Sequence, residues 1–188
     1  MKQRPCHAAW VTAKLRQLPK KIPLAPGNCV PLRGELHQIA HCPGERRGIW
    51  LDTSGQCRGD LPLICVGAQQ ALVARRVKRS LVLEAQRDLK AVVLRHTRKL
   101  GFSPPRITLR DTTSGWGSCS SADSLNFSWR LILAPSYVLD YLAAHESAHL
   151  LHLNHSDSFW ATVAYLTADT DRAEAWLKTH GSGLLRFE

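Results

Sequence analysis

Residues 135–156 read PSYVLDYLAAHESAHLLHLNHS. Within them, His145-Glu146-Ser147-Ala148-His149 followed by His155 sets two imidazoles, a carboxylate and a third imidazole at the spacing of a catalytic zinc site. On a helix, residues four apart lie one turn above each other, so His145 and His149 project from one face and can bind one ion. Glu146 is rotated about a quarter turn from that seam. From there its carboxylate reaches a water on the metal without being a ligand itself, the general-base role of the HExxH pattern. The stretch points to a metal-dependent hydrolase with a Zn2+ ion on His145, His149 and a third ligand.

The helix is expected from Pro135 to about Leu153. Proline suits a first helical turn, where its missing N–H would have had no partner. Val138, Leu139, Leu142, Ala143, Ala144, Ala148, Leu150 and Leu151 make it apolar nearly all round, as a helix buried at the centre of a domain reads. His152 and His155 compete for the third ligand position. In a continuous helix His152 sits about 10 Å along the axis from His145, too far for both to touch one zinc at about 2 Å. Asn154 can take the left-handed conformation that ends helices and return His155 to the metal. His155 is therefore the expected ligand and His152 a supporting or surface histidine. Ser156 then reads as the N-cap of a helix carrying Phe159, Trp160, Val163 and Tyr165.

Upstream, Ser124 to Leu133 alternates, with Leu125, Phe127, Trp129 and Leu131 on one face, and reads as a half-buried strand. Arg106 to Thr112 reads as its partner, joined through Ser114-Gly115-Trp116-Gly117-Ser118-Cys119-Ser120, an irregular connection. A strand leading into the metal-binding helix is either a substrate-side edge, able to add an extended peptide to the sheet, or an ordinary core hairpin. The oxyanion of such a hydrolysis needs a further donor, for which Tyr141, His152 and Arg130 are candidates by proximity.

Four blocks together are more specific than HExxH alone: Trp116-Gly117-Ser118-Cys119-Ser120-Ser121, Ser128-Trp129-Arg130-Leu131-Ile132-Leu133-Ala134-Pro135, His145-Glu146 through His149, and Asn154-His155-Ser156 with Phe159-Trp160. In order and spacing they closely resemble the YgjP-like zinc metallopeptidase family, over about residues 80 to 188. The resemblance implies a zincin-type peptidase domain related to the SprT-like and WLM proteases, with one Zn2+ per chain on His145, His149 and His155 and Glu146 catalytic. Two positions depart from the family pattern. Gly115 stands where the family usually has Arg, and Ser147 where it usually has an aliphatic residue.

The expected architecture is α+β and zincin-like, with a small antiparallel sheet packed on a long helix and a central HExxH helix. Residues 1–30 read as a basic, flexible arm, since Lys2, Arg4, Lys14, Arg16, Lys20 and Lys21 precede the first carboxylate, Glu35, and four prolines interrupt regular structure. Residues 31–188 read as one metallopeptidase domain: a β-meander and linker helix over 31–79 and a catalytic core over 80–188. In that core, Ser80 to Leu100 reads as an amphipathic helix with Val82, Ala85, Leu89, Val92 and Val93 inward, and a last helix runs near Arg172 to His180.

No apolar run is long enough for a membrane span, and the leader lacks the apolar block of a signal peptide, so a cytoplasmic protein without membrane contact is expected. Six cysteines occur without a Cys-x-x-Cys pair, which argues against a zinc ribbon or a thioredoxin-type motif, and reduced thiols are expected. Cys119 reads as a packed small residue rather than a nucleophile. Met1 is the one methionine, which excludes the Met-turn of metzincins. A formal charge of +10 leaves a rival reading open, a nucleic-acid-associated protein or a protease of DNA-bound proteins, with weak, non-specific nucleic-acid binding by the arm. A second rival, suggested by Gly115, is a zinc-binding relative impaired in catalysis. The peptide or protein substrate and the oligomeric state are not legible.

Overall fold

The computed structural model describes residues 21–52, 61–112, 115–120 and 124–188. Its longest element is helix α1, Val73–Lys99. Val73, Val77, Leu81, Ala85, Leu89, Val93 and Thr97 are all buried, one every four residues. Each step of four overshoots a full turn by about 40°, so this line winds around the helix instead of marking one straight face. The helix thereby meets different partners along its length. Val77 and Leu81 face the first sheet near Ile49 and Ile64, whereas the His96 Nε2 lies 2.9 Å from Asp140 Oδ1 on the central helix α2, Ser136–Ala148. The helix begins seven residues before Ser80, the expected start. The Arg75-to-Arg79 run hides the apolar pair Val73 and Val77 that extends the series.

The first sheet comprises β1 (Cys29–Leu32), β2 (Glu35–His41), β3 (Ile49–Asp52) and β4 (Leu63–Val66), in the order β1-β2-β4-β3. The expected antiparallel meander is corrected in one pairing. β2 and β4 run parallel, from Gln38↔Leu63 to His41↔Val66, and the sheet is mixed. The cause is that β3 goes to the edge and β4 returns between it and β2. Inserted there, β4 is buried at all four positions, which a continuous Leu-Ile-Cys-Val run suits.

The β1–β2 hairpin closes through Arg33 (φ 54) and Gly34 (φ 85), both left-handed as a tight two-residue hairpin turn requires. This turn is a structural joint. The amides of Arg33 and Gly34 donate to the carbonyls of Ile132 and Leu133 at 2.7 and 3.2 Å. A Cβ on Gly34 would stand 3.0 Å from Pro135. The Arg33 guanidinium reaches Glu84 and Asp88 of α1 at 2.6 and 2.7 Å. The first sheet, α1 and the entry to α2 are thus tied at one point.

The second sheet contains β5 (Ile107–Arg110), β6 (Gly117–Cys119) and β7 (Leu125–Ser128), in the order β5-β7-β6. β7 lies parallel to β5 and antiparallel to β6. The strand expected to reach Leu133 therefore stops at Ser128, and Trp129–Leu133 forms a buried 3-10 turn. Alternation misleads here because the polar positions are buried too. Arg130, 5% exposed, pairs with Asp111 and donates to the Phe187 carbonyl at 3.1 Å. The supposed irregular connection supplies the edge strand β6.

Helix α3 spans Asp157–Leu166 and α4 spans Thr170–Leu184, longer than the expected 172–180. Of the expected arm, residues 1–20 lie outside the described residues. Residues 21–30 are packed rather than flexible: Leu24 is 1% exposed, and Ile22 bridges Phe187, its amide donating to the Arg186 carbonyl at 2.8 Å. The C-terminal segment gives this stretch a partner that its charge and prolines do not reveal. The α+β class, the long helix under a small sheet and the central HExxH helix are as expected. No described helix is long and apolar enough to cross a membrane.

Candidate metal centre

Helix α2 is buried on most of its circumference, with Val138, Leu139, Tyr141, Leu142, Ala143, Ala144 and Ala148 in the core. Pro135 precedes its first turn. The helix ends at Ala148, five residues before the expected Leu153. Beyond it, the amides of Leu150 and Leu151 donate to carbonyls three residues back, Ser147 and Ala148, at 3.2 and 3.1 Å, which tightens the last turn. Asn154 does not supply the turn. Among the described non-glycine residues only Arg33 has a positive φ. The chain leaves the helix earlier and swings back through residues 150–155.

That path brings His155 to the two helical histidines. The nitrogens of His145, His149 and His155 all lie within 4.8 Å of one another, and His155 Nε2 is 3.2 Å from His145 Nε2. Two ligands held at about 2.0–2.1 Å on a tetrahedral ion would be about 3.3 Å apart, so the pair has the separation one ion requires. His149 Nδ1 lies 2.9 Å from the carbonyl of His152, the contact that fixes a ring so its other nitrogen is left for a metal. Burial, then the charges of His149 and His155, lower the His145 imidazole to about 4 and keep it in the neutral form that ligates. The donor set fits a zinc ion.

His152 contributes its carbonyl, while its ring turns away to the hydroxyl of Thr162 at 3.1 Å. The other two expected oxyanion donors are also engaged elsewhere. Tyr141 donates to Glu174 on α4 at 2.6 Å, and Arg130 is held by Asp111 and Phe187. Ser147 is fully buried and its hydroxyl has no partner among the described residues.

Two parts of the site escape sequence reasoning. The first is a floor of aromatic rings. Phe159, fully buried, has its ring 4.9, 4.6 and 4.7 Å from the centroids of His145, His149 and His155. Trp160 stacks on His155 at 5.8 Å. Both come from the first turn of α3, which Ser156 caps by accepting from the Phe159 amide at 3.4 Å. A signal existed in the adjacency of Ser156, Phe159 and Trp160 to His155, but periodicity alone reads them as ordinary core.

The second is Gly117. A Cβ there would lie 2.5 Å from Glu146 Oε1, so the strand approaches the carboxylate as only glycine permits. Glu146 is 5% exposed, has no ion-pair partner among the described residues, and burial pushes its carboxyl up to about 7. On either side of β6 the pairs Trp116/Ser128 and Ser120/Ser124 carry backbone hydrogen bonds, both at 2.9 Å. By the alternation of an antiparallel ladder, the backbone groups of Gly117 and Cys119 point the other way. No described strand covers that edge. A cleft of about 490 Å³ lies beside it, walled by β6 from Gly117 to Ser120, the three histidines, Glu146 and Leu153.

Three imidazoles converging beside a buried carboxylate, next to a strand edge that no described strand covers, form the arrangement that a metal-dependent hydrolase requires. Comparison with protein families narrows the class. The YgjP-like metallopeptidase domain matches residues 5–180, and the chain belongs to that family. Its members are metallopeptidases, so this is an enzyme of peptide hydrolysis. A solved structure similar over part of the chain is the metallopeptidase zymogen of Methanocaldococcus jannaschii jannalysin, with 17% identity, 48% of this chain and 94% of that chain covered, and a TM-score of 0.44. No curated protein matches the sequence.

Proposed function

We propose that His145, His149 and His155 hold one zinc ion per chain and that Glu146 is the general base of peptide-bond hydrolysis. The observation that carries this reading is the gathering of three ligand atoms within 4.8 Å beside a carboxylate that is buried without a cation partner among the described residues. Zinc bound there would act as a Lewis acid toward the scissile carbonyl and toward water. The chain's own groups do the rest. The outward backbone of Gly117 pairs with an extended substrate, adding it to the sheet as a further strand beside β6. Glu146, kept against Gly117, takes the proton of the attacking water and passes it to the leaving amine. The Phe159 floor and the His152 carbonyl hold the imidazoles in their ligating orientation.

Gly115, where the family usually carries Arg, has a φ of 78°, the left-handed region that favours glycine, and a Cβ there would have nothing within 4 Å. The test is cleavage of an unstructured peptide mixture by zinc-loaded protein, read by mass spectrometry. New termini that require zinc and disappear in Glu146→Gln support the reading. Stoichiometric zinc without cleavage overturns the peptidase assignment and leaves a zinc-binding relative.

A further inference from the structure

Five arginines lie on two neighbouring segments outside the metal centre. Arg46 and Arg47 lie on the loop between β2 and β3, and Arg75, Arg76 and Arg79 lie on the first two turns of α1; all are exposed. The backbone joins the two groups. The Gly67 amide donates to the Gly48 carbonyl at 3.1 Å, a Cβ on Gly67 would be 2.6 Å from the Arg47 carbonyl, and Arg76 Nη1 donates to the Gly67 carbonyl at 3.3 Å.

Several other cations are neutralised within the fold. Arg33 pairs with Glu84 and Asp88, Lys78 and Arg130 with Asp111, and Arg95 with Asp140. None of the five arginines has an ion-pair partner among the described residues. The first turn of α1 holds no acidic residue, so Arg75 and Arg76 stand at a helix end whose dipole disfavours cations. Glu45 is the one carboxylate in the loop. Folding gains nothing from such an arrangement, and an external polyanion would.

An aromatic ring completes the surface. Trp50 is half-buried on the edge strand β3, with the Arg47 guanidinium 5.9 Å from its ring centroid. It lines a cavity of about 180 Å³ with Leu32, Ile49, Leu51, Leu81 and Glu84, a carboxylate that Arg33 and Arg87 neutralise. We propose that this face binds single-stranded nucleic acid, the arginine forks taking successive phosphates and Trp50 stacking a base. Arginine presents a planar fork to phosphate, and an aromatic ring beside a cationic track is the platform on which unpaired bases stack. A ring recessed in a walled cavity suits a flat base better than insertion into lipid.

The test uses the full chain and a fluorescent oligothymidine, titrated from low to physiological salt. Replacing Arg46, Arg47, Arg75, Arg76 and Arg79 with Gln should weaken binding at least tenfold at low salt and reduce the log–log salt slope by up to about 3.5, at about 0.7 per lost phosphate contact. Trp50→Ala alone should weaken oligothymidine binding roughly 5- to 150-fold while leaving the salt slope unchanged. Circular dichroism and zinc content must match the parent. A second variant replaces the basic residues of positions 1–20 with Gln. The proposal is overturned if the five-arginine variant keeps the parent's affinity and slope while the second variant loses both. It is also overturned if the five-arginine variant loses binding to phosphatidylserine vesicles but not to oligothymidine.

Discussion

Helices α1 and α2 bury their residues by different rules. In α1, eight of twenty-seven residues are buried and the charged side chains between them face water or find partners, as Glu84 and Asp88 do with Arg33. In α2, nine of thirteen residues are buried, and one of them is Glu146. The other carboxylate of α2, Asp140, is answered from α1 by Arg95 and His96. Glu146 is answered by no cation among the described residues. A buried carboxylate without a cation is costly to a fold, and α2 carries it where three imidazoles and a bare strand edge meet. α1 is shaped by packing and ion pairs with its neighbours, whereas α2 departs from both at the positions proposed to do chemistry.

The contrast predicts where substitutions hurt, and how. Glu146→Gln should lower the rate of peptide cleavage by about 10² to 10⁴ while zinc content is kept, because the amide preserves shape and removes the base. Melting of the metal-free variant should not fall below that of the parent, since a buried charge has gone. Activity within about tenfold of the parent would break the assignment of Glu146.

Gly117→Ala comes next. Its methyl would fall 2.5 Å from Glu146 Oε1 and push the carboxylate aside. A misplacement on the order of 1 Å can cost about 10² in rate, so kcat/KM should fall by about that factor. Zinc affinity, measured in parallel, should stay within a few-fold. Equal loss of both would mean that Gly117 supports the whole site and not the base alone.

Smaller effects separate the two helices themselves. Ala143→Leu overfills the buried face of α2 and should cost about 1–3 kcal/mol in urea unfolding. Ala91→Leu on the exposed side of α1 should change stability by less than about 0.5 kcal/mol. Similar costs at both positions would contradict the difference in burial.

Much of this was legible because it is local. The four-residue spacing of His145 and His149 needs only helix geometry, and the Ser156 cap needs only its neighbours. His155 reaches the cluster as expected, but through a helix that ends at Ala148 and not through a left-handed Asn154. The end of a buried helix is set by what packs beyond it, here α3, and Leu150, Leu151 and Leu153 continue a helical pattern in sequence alone. The close approach of Gly117 to Glu146 joins residues far apart in the chain, and no periodicity reports it. The same holds for the parallel pairing of β2 with β4 and for the engagement of Tyr141 by Glu174. Arg130 misled for a related reason, since its burial depends on Asp111 and the Phe187 carbonyl, neither of them near it in sequence.

The central claim is that the loop beyond α2, and not α2 itself, completes the metal site. Zinc affinity measured by competition with a chelator, on His155→Ala and on His152→Ala, tests it most directly. His155→Ala should lose zinc sharply, because two protein ligands remain where catalytic zinc sites have three. His152→Ala should stay near the parent in stoichiometry and weaken by no more than about 10- to 100-fold, because its carbonyl, which orients His149, survives the substitution. Readier loss of zinc from His152→Ala than from His155→Ala would contradict the account.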